Sequence, residues 1–572
     1  MRLSEPGPGA GRPVAGFSIM FLLMLLGLSA RLFYLQSVKG DYYRSISTSN
    51  HIRVIYRPAP RGVIRDRNGI VLVDNLPSFV VAAVPSEFDP AGIPEVASLI
   101  GMPQDTLEAR LATASARPYR PFVLCDDMTV EEISPIAENL HRFGGLLIDV
   151  LPRRRYYFGH EFCHIVGYVG DSREEGAFEG EMTGISGLES ELDYFLAGQP
   201  GYRRQVVDAV GRVVSEFEGS GEVAPVPGHD LTLTIDSRLQ VLTCAILEEE
   251  TAPGAAVVID YTTGEILCLA SSPGYDPQEM SDGISSEAWQ AISQDPERPM
   301  FCRAWAARYP PGSIFKLVSA AYLLQNGLVT PDFRPDPCYG SYHLGGNDFG
   351  CWSVHGRLSM VDALAQSCDV YFYRTIQLGS LDGLAAFARG FGLGGRLTEI
   401  LPGESRGLVP DRALLDSLYG PGGWGLGNLL NVSIGQGELL VTPLQMAAMS
   451  GVFASGGEMP GLRLVREVPE APAPWRQLDL SAGTVATVVE GMQEAVESGS
   501  GTLSSLGRLP WTFYGKSGTA ESPAGDHAWV VGFIREPMPL AVAVVVEHGG
   551  HGGAVAAPIV SRILLGYLGE DP

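Results

Sequence analysis

The chain has 572 residues, 45% of them apolar and 18% charged, too long for one compact core and suited to two or three domains. That mixture excludes intrinsic disorder and a multi-span membrane protein. A formal net charge of −25 speaks against a nucleic-acid partner, which would need clusters of Lys and Arg, and eight Cys do not make a disulfide-dense scaffold at this length.

Residues 1–12 read as a cytoplasmic tail and residues 13–36 as a transmembrane anchor. Positions 14–30 carry no charge, Arg12 and Arg31 flank them, and Leu32, Phe33, Tyr34 and Leu35 extend the run to spanning length. Arg2 and Arg12 favour an N-terminus inside and the bulk of the chain outside the cell membrane, in a single-pass protein. A cleaved signal peptide is the alternative, since small residues at 27–30 end the run; its length favours the anchor. Residues 37–215 form a second region. Residues 57–75 are extended and turn-rich with a hairpin turn at Asp66, Arg67, Asn68 and Gly69, whereas residues 85–150 mix helical and strand patterns. Residues 216–229, aperiodic and rich in Gly and Pro, read as a linker. Residues 230–572 look like one domain. Apolar runs at 255–260 and 266–270 around Thr262, Thr263 and Gly264 predict a hairpin, and runs at 528–534 and 540–547 around Pro537 and Pro539 predict a second. Helical segments between them give an α/β (α+β) domain with a mainly antiparallel sheet.

Only three of the 40 basic residues are Lys: Lys39, Lys316 and Lys516. Where Arg serves nearly everywhere, a retained Lys is a candidate for chemistry that an always-charged guanidinium cannot perform. Two of the three lie in short motifs. Ser313, Ile314, Phe315 and Lys316 follow Tyr309, Pro310, Pro311 and Gly312, which break the chain ahead of a helix start. Positions i and i+3 share a helix face, so the amine is expected beside the Ser313 hydroxyl, as a base for an otherwise weak nucleophile. Ser367, Cys368 and Asp369 lie in an apolar helical run over 361–376, where a hydroxyl could relay a proton and Asp369 could hold a substrate amide. Lys516, Ser517, Gly518 and Thr519 precede the last hairpin. On an edge strand they offer a cation and hydroxyls to a carboxylate, and backbone N–H groups for an oxyanion hole with that of Ser313. Each motif alone is as well read as a solvated surface. Together they are not: random placement of three lysines among 40 basic positions puts them at both sites in roughly 1 case in 260.

Between the first two motifs the spacing Cys338, Cys351, His355, Cys368 offers three thiolates and an imidazole, a set suited to tetrahedral zinc. A disulfide, Cys351–Cys368 or Cys338–Cys351, and simple buried thiols are the other readings. His548 and His551 read as a polar glycine-rich loop, Trp352, Trp424 and Trp529 as core or cleft aromatics, and Cys125, Cys163, Cys244, Cys268 and Cys302 as packing residues.

The ordered trio Ser-x-x-Lys, Ser-x-Asp and Lys-Ser-Gly resembles the signature of penicillin-binding proteins and serine β-lactamases. Several stretches resemble class B penicillin-binding proteins: Pro60, Arg61 and Gly62 with Asp66 to Gly69; Gly184 through Glu189; Asp208 through Arg212; Gly435, Gln436 and Gly437 with Thr442 to Gln445; and His527, Ala528 and Trp529. No glycosyltransferase segment is recognisable. Asp369, where most of the superfamily has Asn, resembles the elongation-type branch. The resemblance implies a membrane-anchored D,D-transpeptidase with a pedestal or dimerisation region (37–215) and a penicillin-binding domain (230–572), needing no cofactor for catalysis. Ser313 would attack stem peptides from lipid-linked precursor with Lys316 as base and Ser367 as proton relay. Asp369, Lys516, Ser517, Gly518 and Thr519 would bind substrate, β-lactams would trap the ester, and a membrane glycosyltransferase would be the partner. Some elongation-type relatives carry zinc beside the active site through Asp, His and Cys, which the Cys338 cluster resembles in part. The alternatives are a non-catalytic penicillin sensor or scaffold, and a D,D-carboxypeptidase or β-lactamase.

Overall fold

The computed structural model describes residues 11–39, 52–114, 118, 121–172, 180–207, 213–216, 222–250, 252–458, 460–467 and 478–569. The chain divides into two compact units, one of residues 1–59, 77–151 and 199–226, the other of residues 60–76, 152–198 and 227–572.

In the first unit the uncharged run forms the helix Gly11–Phe33, continued by a single wider turn over Tyr34–Val38. Among the described residues, Gly16–Val38 is the one helical stretch long and apolar enough to cross a membrane. Ile52–Arg57, Glu222–Val223 and Val213–Glu216 all pair antiparallel with Gly201–Val207. Glu222–Val223 thus lies in a sheet within the segment read as a linker. A small separate core gathers Val81, Phe88, Val96, Leu107, Leu124 and Ile136. The mixed pattern at 85–150 resolves into short alternating elements, among them the helix Val130–Asn139, started by a reciprocal Thr129–Glu132 cap.

In the second unit the predicted turn is present: Ile64 pairs with Val73, Gly69 has φ 85°, and the N–H groups of Asn68 and Ile70 both donate to Asp66 Oδ1 at 2.8 Å. The stretch Asp208 to Arg212 lies outside the described residues. Both apolar hairpins form, and they join one five-stranded antiparallel sheet in the order Ile266–Ser272, Gly254–Asp260, Leu540–Val546, His527–Ile534, Phe513–Ala520. Its central strands are apolar on both faces because helices cover both. Val258 and Val542 pack with Leu239 and Ile563 of the helices Ser237–Glu248 and Ala556–Leu568. Val257 and Ala543 face the other core, shared with Met446 of Pro443–Ala454 and Val488 of Ala482–Glu497. Phe513–Ala520, which carries the third motif, is an edge strand, as its place in sequence predicted.

Candidate active site

Pro310 and Pro311 cannot donate to a preceding turn, and Gly312 at φ 57° supplies a left-handed bend that other residues resist. A tight turn over Gly312–Phe315 then feeds the helix Lys316–Gln325. Ser313 therefore stands at the helix start, as its flanks suggested. Two neighbours press on this bend. The Gly312 N–H donates to the carbonyl of Gly435 at 2.9 Å, and a Cβ on Gly435 would lie 2.1 Å from the Gly312 carbonyl. A Cβ on Gly312 would itself lie 2.5 Å from the Thr519 carbonyl. Glycine is required because three backbones meet with no room for side chains. Further support comes from Trp529 Nε1, which donates to the Pro310 carbonyl at 3.2 Å, and from Tyr309, whose hydroxyl donates to Glu547 at 2.7 Å.

Lys316 is fully buried, and its Nζ donates to the Ser367 carbonyl at 2.8 Å and to Ser367 Oγ at 3.2 Å, and pairs with Asp369 Oδ1 at 2.7 Å. All three acceptors belong to the second motif. Equal spacing on a helix face brings Lys316 to the right side of the helix, but three acceptors on the second motif orient its long side chain. That motif does not lie inside a helix as its pattern suggested. One helix ends at Ala365, Ser367 adopts φ 55°, and the next helix starts at Asp369 with Cys368 as its cap. A serine in the left-handed region carries strain, held here by the contacts that aim its carbonyl and hydroxyl at one amine. Burial raises the Asp369 carboxyl above its usual range, against the pull of Lys316.

Lys516 is also fully buried, its Nζ donating to the Ser517 carbonyl at 2.9 Å. Burial first, then the charge of Lys316, hold this amine well below the usual lysine range, with Asp369 acting the other way. The two lysines thus sense one another across the first and third motifs. Ser517 Oγ donates to Thr502 Oγ1 at 2.7 Å, and Gly518 lies against the Pro311 carbonyl, which a Cβ there would approach to 3.0 Å. Thr519 Oγ1 shares a 3.3 Å hydrogen bond with His551 Nδ1. The sequence reading treated His551 as part of a polar loop, and only the folding of that loop brings it to the third motif. Among the aromatics, Trp529 is fully buried but Trp352 is 64% exposed.

Beside the second motif, ligand atoms of Cys338, Cys351, His355 and Cys368 all lie within 4.8 Å of one another. His355 Nδ1 is 3.4 Å from Cys351 Sγ and 3.7 Å from Cys338 Sγ. The neighbouring Cys368 side chain holds the Cys351 thiol below its ordinary range, and Cys351 together with burial holds that of Cys368 above it. Three soft donors and one imidazole fit tetrahedral zinc, in which Zn–S bonds of about 2.3 Å hold sulfurs about 3.8 Å apart. The cluster has the donors to bind a metal. Cys163, Cys244, Cys268 and Cys302 are buried thiols, as their apolar surroundings predicted.

Comparison with known proteins concerns the chain as a whole. Residues 254–565 match the penicillin-binding protein transpeptidase domain, and residues 56–233 the penicillin-binding protein dimerisation domain. The peptidoglycan D,D-transpeptidase MrdA of Acinetobacter baumannii is 31% identical over 94% of this chain and 84% of its own length. The penicillin-binding protein PBP2 of Helicobacter pylori, solved in complex with MreC, superposes with a TM-score of 0.80 at 26% identity, covering 91% of this chain and 99% of that one. A chain of a peptidoglycan synthase complex, solved to explain the coordination of polymerization and crosslinking, gives a TM-score of 0.74 at 30% identity, covering 99% of both. With its apolar N-terminal helix, its dimerisation domain and a transpeptidase domain built on an antiparallel sheet, the chain belongs to the class B penicillin-binding proteins of the PBP2 type, the β-lactam-binding D,D-transpeptidases of peptidoglycan.

Proposed function

We propose that Ser313 is the nucleophile of this transpeptidase, and that Lys316, Ser367 and Asp369 form the proton-handling group around it. One observation carries the assignment: the buried Lys316 amine converges on Ser367 Oγ and Asp369 Oδ1 beside a serine turn clamped between Gly435 and the edge strand. Ser313 Oγ attacks the carbonyl of the penultimate D-Ala of a stem peptide. A proton passed along the 2.7 Å Lys316–Asp369 contact leaves a neutral amine able to take the serine proton. It also leaves Asp369 as a neutral carboxyl, which can donate a hydrogen bond as a carboxylate cannot. Ser367 hands its proton to the departing D-Ala amine and takes back from Lys316, 3.2 Å away, the proton that came from Ser313. Lys516, Ser517, Gly518 and Thr519 receive the terminal carboxylate, and the N–H groups of Ser313 and Thr519 steady the oxyanion. The amine of a neighbouring strand then attacks the ester, forming the cross-link and freeing Ser313.

A fluorescent penicillin tests this reading: wild type is expected to take the label and Ser313→Ala to lose it. Undiminished labelling of that variant overturns the assignment. Lipid-linked precursor supplied with a glycosyltransferase separates the products, since release of D-Ala without cross-links makes the chain a carboxypeptidase.

The same proposal extends to its surroundings. Residues 16–38 span the membrane with the N-terminus inside, supported by their length and the flanking arginines. Cys338, Cys351, His355 and Cys368 hold a structural Zn2+, supported by the donor set and its spacing. When bound, the metal supplies a rigid tie at the second motif and no reactive group. Glycan strands come from a membrane glycosyltransferase, supported by the relative solved within a peptidoglycan synthase complex. A protein akin to MreC is a second partner, supported by the Helicobacter pylori complex.

A further inference from the structure

We infer that Cys351 and Cys368 form a thiol-modification site: once the metal leaves, they close to a disulfide that switches the transpeptidase off. The inference rests on the metal reading above. Its starting point is the position of Cys368. Its two chain neighbours, Ser367 and Asp369, are the residues that hold Lys316 Nζ, and Cys368 caps the helix that begins between them. The other thiol is tied to the same turn. The Asp369 N–H donates to Cys351 Sγ at 3.3 Å, and Trp352 Nε1, one residue on, donates to the Gln366 carbonyl at 3.0 Å. Any change in the distance between the two sulfurs therefore acts on the segment 366–369 from both sides.

That distance must change. A tetrahedral zinc thiolate keeps sulfurs about 3.8 Å apart, whereas a disulfide brings them to about 2.05 Å. The difference of about 1.7 Å falls on a turn already in a strained conformation at Ser367, φ 55°. A shift of about 1 Å in a group that positions chemistry can cost on the order of 100-fold in rate.

Access selects the order of events. Cys351 is half-buried whereas Cys338 and Cys368 are buried, so an incoming reagent meets Cys351 first. The Cys351 thiolate attacks a low-molecular-weight disulfide, forming a mixed disulfide and expelling one thiolate, which takes up a proton. The Cys368 thiolate then attacks Cys351 Sγ, closing the protein disulfide and expelling the second thiol. The two cysteines lose two electrons and the reagent disulfide gains them. Cys338, whose thiol donates to the Ser353 carbonyl at 3.5 Å, is left as a thiol beside His355.

The test uses the full-length protein in detergent, first as purified and then after treatment with a zinc chelator and oxidised glutathione. Metal release is read with a chromogenic chelator, free thiols are counted, disulfides are mapped by peptide mass, and acylation is followed with fluorescent penicillin. As purified, the protein is expected to resist the oxidant. After chelation it is expected to lose two thiols, to yield a Cys351–Cys368 peptide, and to label on the order of 100-fold more slowly until dithiothreitol restores it. Cys351→Ser serves as the internal control. Its labelling rate, whatever its starting level, is expected to be the same before and after treatment. A mapped Cys338 disulfide, unaltered thiols after chelation, or a Cys351–Cys368 disulfide with unchanged labelling each overturns the switch. Absence of metal from the purified protein overturns the zinc reading and is read separately, by metal analysis before any oxidant is added.

Discussion

Two charge clusters are buried in the larger unit, and they are built differently. In the first, Arg61 meets Glu189 and Asp193 at 2.8 Å, and Arg154 Nε reaches Glu189 Oε1 at 2.6 Å, so two guanidinium groups face two carboxylates. In the second, Lys316 pairs with Asp369 at 2.7 Å, while Lys516 bonds the Ser517 carbonyl and, among the described residues, has no carboxylate of its own. Charge balance with forked donors makes the first cluster a brace. Charge imbalance in the second fits the proton transfer proposed for it. The choice of Arg in one and Lys in the other follows, because a guanidinium holds its proton under every condition the protein meets, whereas a desolvated amine does not.

The sharpest way to break that contrast is to exchange the cations. Lys316→Arg keeps a positive charge but cannot act as a base, and acylation by fluorescent penicillin is expected to fall about 10³–10⁴-fold in folded protein. Acylation at an unaltered rate would show that no proton passes through position 316. The converse change belongs to the brace. Glu189→Ala leaves both guanidinium groups without their shared partner, and denaturant unfolding is expected to register a loss of about 3–5 kcal/mol. If Glu189→Ala instead left stability untouched, the first cluster would be no brace.

The smallest effect has the opposite sign. The lowered Lys516 amine means that folding opposes its protonation, so the unfolded chain binds more protons between the folded value and the ordinary one near 10.5. Stability should accordingly rise with pH through that window, and the penalty should be complete below it. Lys516→Met removes the penalty: thermal unfolding at neutral pH is expected to rise by about 1–2 kcal/mol while penicillin labelling drops. A Lys516→Met protein less stable than wild type at neutral pH, or one whose advantage does not shrink toward high pH, would refute the reading of Lys516 as a strained charge.

The same contrast explains what was legible beforehand. Lys316 and Lys516 could be singled out because the chain uses Arg almost everywhere else, and both apolar hairpins could be read because their strands are continuous buried runs. The break at Ser367 could not. Residues 361–376 keep a helical pattern, and the partner of the left-handed turn's carbonyl, Lys316, lies far away in sequence. Nor could the partners of the Lys316 amine: spacing reports a shared face, while the acceptors of another segment decide where a long side chain points. The Cys338 cluster was visible as ligand spacing, yet the hairpin Ser341–Gly350 that lets Cys351 return to it was not. Arg61 and Glu189 lay in recognisable stretches, whereas Arg154 has no local signal and joins them only in three dimensions.

The edge position of Phe513–Ala520 bears on selectivity. A strand hydrogen-bonded on one side offers its other row of N–H and C=O groups to an extended chain laid alongside. Such pairing reads main-chain handedness ahead of side-chain identity. A peptide tail of mirror-image residues presents its amides and side chains to that border with inverted geometry, so discrimination between D- and L-terminated tails can begin at the rim of the sheet, before any bond is made or broken.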